Sequence, residues 1–238
     1  MYIYGKNVAR EKLNTSDKIN KVYLDKKFND NDILKLLKEK KVKINYVDKV
    51  ILNNKVDGLH QGIILEIDDI KTYSYEEKKE ELLKNKSLVV MLDHLEDPHN
   101  FGAIIRTSEA LGVDAIIIPN DRSVKVNDTV VKTSTGAIYN IPIIKVANLY
   151  STIEKLKKDN FWIVGTDMDG EDYTKIDYDC SVCLVIGNEG KGMSKIVRDN
   201  CDYIASIPMK GKVNSLNASV SCGIVLSEIV RKRGHNGI

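Results

Sequence analysis

The chain has 238 residues, enough for one large domain or two modest ones with a true core. At 42% hydrophobic and 29% charged it has the composition of an ordinary globular protein, which excludes disordered and fibrous classes. Its net charge of +2 singles out no partner, and no run is long and apolar enough for a bilayer span or a signal peptide, so a cytoplasmic protein with reduced thiols and no membrane is expected.

Charge is uneven along the chain. Residues 1–86 hold nineteen Lys and Arg against fifteen Asp and Glu, and residues 87–238 hold seventeen against nineteen. A mildly basic front half suits RNA, and equally a solvated lysine surface. In that half "KVYL", "VKINYVD" and "GIILEID" read as strands. "DNDILKLLKEKK" reads as a helix opened by Asp or Asn caps, with Ile33, Leu36 and Leu37 on one face. The spacing predicts a small α/β unit over 1–70. Residues 71–86 follow as a charged, partly helical linker with few core candidates.

From residue 87 the pattern changes. "SLVVML", "AIIIP", "IPIIKV", "FWIVGT" and "VCLVIG" are nearly continuous Val, Ile and Leu runs, as parallel strands covered on both faces require. Helical patterns separate most of them, "NLYSTIEKLKKDN" being the clearest. A doubly wound α/β domain over 87–238 is predicted, with ligands at the carboxyl ends of its strands.

Three loops carry unusual polar residues. In "LDHLEDPHNFGAIIRTSEALG" Pro98 breaks the chain and Asn100 is a candidate helix cap. Phe101, Ile104, Ile105, Ser108 and Leu111 then share one helical stripe, with Arg106 well off it, facing solvent, a ligand or another subunit. In "VIGNEGKGMS" Gly187 and Gly192 have the separation of a phosphate-binding loop, but Met193 stands where that loop needs Lys. Gly187, Gly190 and Gly192 allow close backbone approach, and Glu189 suits a cation or hydroxyl better than a triphosphate. In "IPMKGKVNSLNASVSCGIVLSE" a polar loop leads to a helix capped near Ser215 with a small first turn. "CSVC" at 180–183 lacks a second ligand pair and reads as the start of a buried strand, so no metal is expected. His94 and His99 have no visible partner, and no hydrolase triad, zinc motif or dinucleotide fingerprint is present.

Taken in order, "NFGAIIR", "IGNEGKGMS" and "IPMKGKVNSLNASVS" resemble the three motifs of the SpoU family of RNA ribose 2′-O-methyltransferases, over about residues 87–230. "YIYGKNVAREKL" and "GLHQGIIL" resemble that family's small substrate-binding domain, which is related in fold to ribosomal protein L30e. The layout is similar to the TrmH/RlmB branch, whose RlmB members modify a guanosine of 23S rRNA. The resemblance implies a C-terminal trefoil-knotted SPOUT α/β methyltransferase domain behind an N-terminal L30e-like α/β domain. It implies S-adenosylmethionine held by Gly187, Asn188, Gly192, Ile207, Met209, Leu216 and Asn217, and a homodimer joined near the knot. It also implies Arg106 as the residue that activates the ribose hydroxyl, with Asn100 and Glu189 holding Arg106 and the loops, and Ser215 and Asn217 serving the ribose and cofactor. A tRNA enzyme of the same family, a resistance rRNA methyltransferase and a non-catalytic RNA-binding relative remain alternatives.

Overall fold

Short apolar strands build two sheets in the computed structural model, which describes residues 1–16, 18–83, 86–121, 123–212 and 215–234. The front sheet uses β1 (Tyr2–Tyr4), β2 (Ile19–Asp25), β3 (Ile44–Val47) and β4 (Ile63–Ile67), with α1 (Lys6–Asn14), α2 (Asn31–Lys40) and α3 (Lys49–Asn53) between them. Its order is β1-β4-β2-β3, with β4 antiparallel to both neighbours and β2 parallel to β3. The cap of α2 is Asp30, whose carboxylate accepts the Ile33 N–H at 3.2 Å. Ile33 and Leu37 are buried, as the helical spacing requires.

The second sheet has seven strands. It holds β5 (Thr72–Tyr73), β6 (Leu88–Leu92), β7 (Ala115–Pro119), β8 (Ile143–Val146), β9 (Phe161–Asp172), β10 (Ser181–Ile186) and β11 (Tyr203–Ser206). The helices are α4 (Tyr75–Leu82), α5 (Pro98–Ala110), α6 (Asp128–Thr133), α7 (Leu149–Lys158), α8 (Lys195–Arg198) and α9 (Ala218–Lys232), with a 3-10 turn at Ala137–Tyr139. The order is β11-β9-β10-β6-β7-β8-β5 and every pairing is parallel. Alternate residues feed two faces. Val90, Leu92, Leu184 and Ile186 pack with Phe101, Ile104 and Ile105 of α5 and Val225 and Leu226 of α9. Val89, Met91, Cys183 and Val185 pack with Ile153 and Leu156 of α7.

The stretch expected as a charged linker is part of this sheet. β5 pairs with β8, and α4 starts at a capping box of Ser74 and Glu77. Tyr75 and Leu82 are buried, and Asp159 accepts from the Tyr75 hydroxyl at 2.8 Å and the Lys79 ammonium at 2.7 Å. The reading missed this because two core residues among many charges leave almost no periodic signal. Burial works against the Asp159 carboxylate, but the Lys79 and Tyr75 hydrogen bonds outweigh it and hold its pKa down.

Two caps differ from expectation. Asp97, not Asn100, caps α5, accepting the His99 N–H at 2.9 Å, with Pro98 at the first helical position. Asn217, not Ser215, caps α9, accepting from the N–H groups of Ser219 and Val220. In both places several cap-type residues lie close together, and sequence does not say which one the helix uses. Positions 213–214 of the third motif and 235–238 of the ending "RKRGHNGI" lie outside the described residues.

The end of α9 is stapled to the sheet by Arg233. Its guanidinium donates to the carbonyls of Tyr178 at 3.0 Å, Lys86 at 2.8 Å and Cys180 at 2.5 Å. Hydrogen bonds from a charged donor each contribute about 1.5–3 kcal/mol. Arg233→Ala is therefore expected to lower the unfolding free energy by about 3 kcal/mol, measured by urea denaturation with unchanged slope. A shift under about 0.5 kcal/mol, the range of an ordinary surface change, would refute the staple.

The four cysteines are free. Burial pushes the Cys201 and Cys222 thiols up to about 12 and raises Cys183 as well, so these three are packing residues and not ready nucleophiles. Among the described residues no group of three His, Cys, Asp or Glu side chains is placed to hold a metal, and no helix is long and apolar enough to cross a membrane.

Candidate active site

Because β10 lies between β9 and β6 with all three parallel, the loops that follow them meet at one edge of the sheet. There a cleft of about 410 Å³ opens, in the range of small-ligand sites. Its floor is the 187–194 loop. Asn188 and Gly192 exchange backbone hydrogen bonds at 3.0 and 2.9 Å, closing the loop on itself. The Asn188 side chain accepts from the N–H groups of Gly190 and Lys191 and donates to the His94 carbonyl at 2.9 Å. Gly187 is required by this closure, since a Cβ there would meet the backbone of Gly192 and Met193 at 2.4 Å. Gly192 has a φ of +67°. The glycines thus serve the fold of the loop first and the approach of a ligand second.

The far wall comes from Ile207, Met209, Ser215 and Leu216, after β11. Met209 and Leu216 are large apolar side chains left partly open to solvent, which marks an unfilled apolar wall. Thr166, Asp167 and Met168, within β9 just past the stretch that pairs with β10, complete the cleft. This fourth contribution is missing from the three-loop reading. Its signal was present: "FWIVGT" is a parallel strand, and whatever follows such a strand is a site candidate. Asp167 is paired with Arg198, its carboxylate accepting from Nε at 2.9 Å.

One hydrogen-bonded chain ties the three motifs together. The Asn100 amide donates to Glu189 Oε1 at 2.9 Å, and its oxygen accepts from the Asn217 amide at 2.9 Å. The Asn217 oxygen in turn caps α9, accepting the Ser219 N–H at 2.9 Å and hydroxyl at 2.6 Å. Direction is fixed at every link. A carboxylate only accepts, so Glu189 sets the orientation of Asn100, which sets that of Asn217. Asn100 is buried, so a flipped amide would leave unmet donors.

Of the residues singled out in the sequence, Gly187, Asn188, Gly192, Ile207, Met209, Leu216, Glu189 and Ser215 line the cleft. Asn100 and Asn217 do not line it but brace it. Arg106 stands apart. It is exposed on α5, as its off-stripe position predicts, and makes no hydrogen bond or ion pair among the described residues. The expected grip of Asn100 and Glu189 on Arg106 is absent within one chain, because those two side chains are engaged with each other. Arg106 instead stands between Ala103 and Thr107, which line a shallow groove of about 610 Å³ along α5 and α9.

These features agree with comparisons to known proteins. A model of the SpoU rRNA Methylase family matches residues 87–227, and a model for RNA 2′-O ribose methyltransferase substrate binding matches residues 2–73. A Staphylococcus aureus protein whose name places it in the TrmH family of tRNA/rRNA methyltransferases is 43% identical over 240 residues, covering 97% of this chain and 96% of its own. The SpoU methyltransferase AviRb from Streptomyces viridochromogenes superposes with a TM-score of 0.82 at 25% identity, over 98% of this chain and 89% of that one. It has also been crystallised with the cofactor AdoMet, in a form that is 24% identical with a TM-score of 0.80, over 98% of this chain and 90% of that one. An A. aeolicus TrmH/SpoU tRNA modifying enzyme is 32% identical with a TM-score of 0.58, over 66% of this chain and 83% of its own. The fold is that of an α/β RNA methyltransferase. The chain belongs to the SpoU rRNA methylase family.

Proposed function

We propose that this protein methylates a ribose 2′-hydroxyl of RNA, using S-adenosylmethionine bound in the 187–194 cleft, and that its target is a guanosine of 23S rRNA. The observation that carries the reading is the cleft itself. Its volume and its apolar wall of Ile207, Met209 and Leu216 suit an adenosyl group. The Glu189 carboxylate suits a sulfonium cation better than a triphosphate. When bound, the cofactor would supply an electrophilic methyl group, which the ribose 2′-oxygen takes as its proton is lost to water, the broken C–S bond leaving a neutral thioether. Gly187, Asn188 and Gly192 would hold the adenosyl end through their backbone, Ser215 would meet the ribose, and Asn217 would act as cap and brace. The threading of the third motif through a trefoil knot belongs to this proposal, as does a role for residues 1–70 in holding RNA.

Arg106 completes the site only if a second chain brings it there. Its own chain leaves it outside the cleft, beside the α5–α9 groove lined by Ala103, Thr107, Ser219, Val220 and Gly223. Small residues along that groove allow a second copy to approach closely, and a two-fold axis would place each Arg106 at the partner's cleft. Val220 is a large apolar side chain about half exposed on this face. Val220→Arg is expected to convert a dimer to a monomer by light scattering and to lower transfer at least about a hundredfold, since both composite sites are lost with the interface. An active monomer would overturn the composite site.

Two features favour ribosomal RNA: the family model matching residues 87–227 is that of the SpoU rRNA Methylase family, and the tRNA modifying relative covers 66% of this chain. Transfer of labelled methyl to unmodified 23S rRNA and to unmodified tRNA, mapped by nuclease digestion and mass spectrometry, tests the assignment. A ribose-methylated guanosine in the rRNA alone supports it, and label in tRNA alone overturns the substrate while keeping the chemistry.

A further inference from the structure

The 187–194 loop is held by a side chain that no motif role covers. Asp93 directly follows β6 and is 1% exposed. Its Oδ2 accepts both the N–H of Ser194, at 2.6 Å, and the Ser194 hydroxyl, at 2.8 Å. Its Oδ1 lies 2.5 Å from Nδ1 of His94, and its own N–H donates to the Ile186 carbonyl at 2.8 Å. His94, at a φ of +59°, presents the carbonyl that receives the Asn188 amide at 2.9 Å. Two consecutive residues after β6 therefore pin both ends of the loop, Asn188 at its start and Ser194 at its end.

A carboxylate taken out of water is costly unless its bonds are good. Among the described residues, the Asp93 carboxylate serves, besides His94, only Ser194, one residue beyond the cleft wall at Met193. Asp93 itself does not line the cleft. Its stabilisation is thus directed at the shape of the loop. We propose that Asp93 is the positioning residue of the cofactor cleft: by clamping Ser194 it holds the 187–194 loop in its binding shape before any ligand arrives. Cofactor affinity then depends on Asp93 through preorganisation. This rests on the reading that the cleft binds S-adenosylmethionine.

The test pairs calorimetry of S-adenosylmethionine with amide hydrogen exchange of the ligand-free protein. Asp93→Ala leaves the partly buried Ser194 N–H without its charged acceptor. It is expected to weaken binding at least about thirtyfold, and to speed exchange at Gly192 and Ser194 by a similar factor, while Met91 and Val185 in the strands stay protected. In Asp93→Asn the side-chain oxygen can keep both Ser194 bonds while the amide turns to His94, whose other tautomer accepts from it. That variant is expected to bind within about threefold of the parent. Ser194→Ala, which keeps the N–H bond, is expected to fall between the two and to report on the clamp should Asp93→Ala fail to fold. Unchanged binding and exchange in Asp93→Ala would overturn the proposal. So would loss of protection spread through β6 and β10, or an Asn variant as weak as the Ala variant. If the parent binds no S-adenosylmethionine, the functional reading fails, and the exchange measurement still decides whether Asp93 clamps the loop.

Discussion

Arg106→Ala is expected to lower single-turnover methyl transfer at least about a thousandfold, while S-adenosylmethionine binding by calorimetry stays within about twofold. The separation follows from placement. Arg106 is not among the residues that line the cleft, so its loss leaves cofactor contacts intact. Its guanidinium is effectively always protonated, so it does not take the hydroxyl proton itself. Its role in the proposed reaction is to grip the phosphate beside the target nucleotide and to stabilise the charge that develops on the 2′-oxygen. Arg106→Lys keeps the charge but loses the planar fork, and an intermediate loss of about a hundredfold is expected. Transfer by Arg106→Ala within tenfold of the parent would remove Arg106 from the site.

Asn100→Asp is the second large effect. The substitution changes one NH2 group to oxygen, yet it sets a carboxylate where the amide now donates to Glu189 at 2.9 Å. Two acceptors then face each other, one of them at the buried position 100, and the chain from Glu189 through Asn217 to the cap of α9 loses its direction. Cofactor binding at pH 8 is expected to weaken by about a hundredfold, the equivalent of roughly 3 kcal/mol. The sign of the pH dependence is also fixed. Two carboxylates at this distance share one proton, with one pKa raised, so the protonated pair recovers a donor as pH falls. Binding by Asn100→Asp is therefore expected to improve between pH 8 and pH 5.5, against a flat profile for Asn100→Ala. Calorimetry across that range checks it, and equal binding by Asn100→Asp and the parent at pH 8 would break the proposed link.

Much of the fold was readable because parallel strands announce themselves. "SLVVML", "AIIIP" and "VCLVIG" each became a buried strand of the seven-stranded sheet. The exposure of Arg106 followed from helical spacing alone. What escaped was of two kinds. Local choices among near-equivalent residues were misjudged, so Asn100 and Ser215 were expected to cap where Asp97 and Asn217 do. Long-range choices left no local trace. Asn100 meets Glu189 across 89 residues of sequence and Asn217 across 117, and Asp93 meets Ser194 across 101. No periodicity encodes such pairings, and only the order of strands in the sheet brings them together. The charged stretch before β6 failed for a third reason, since Tyr75 and Leu82 are too few to outweigh their charged neighbours in a pattern, yet they are enough to bury α4.

That the acceptor is a ribose hydroxyl is decided by alkaline hydrolysis of RNA labelled by this protein with methyl-labelled S-adenosylmethionine. Alkali cleaves RNA through a free 2′-hydroxyl, so methylation there blocks the adjacent cut. Label is expected in alkali-resistant dinucleotides, with its appearance abolished in Arg106→Ala. Label released wholly in mononucleotides would place the methyl on a base and rule out ribose methylation.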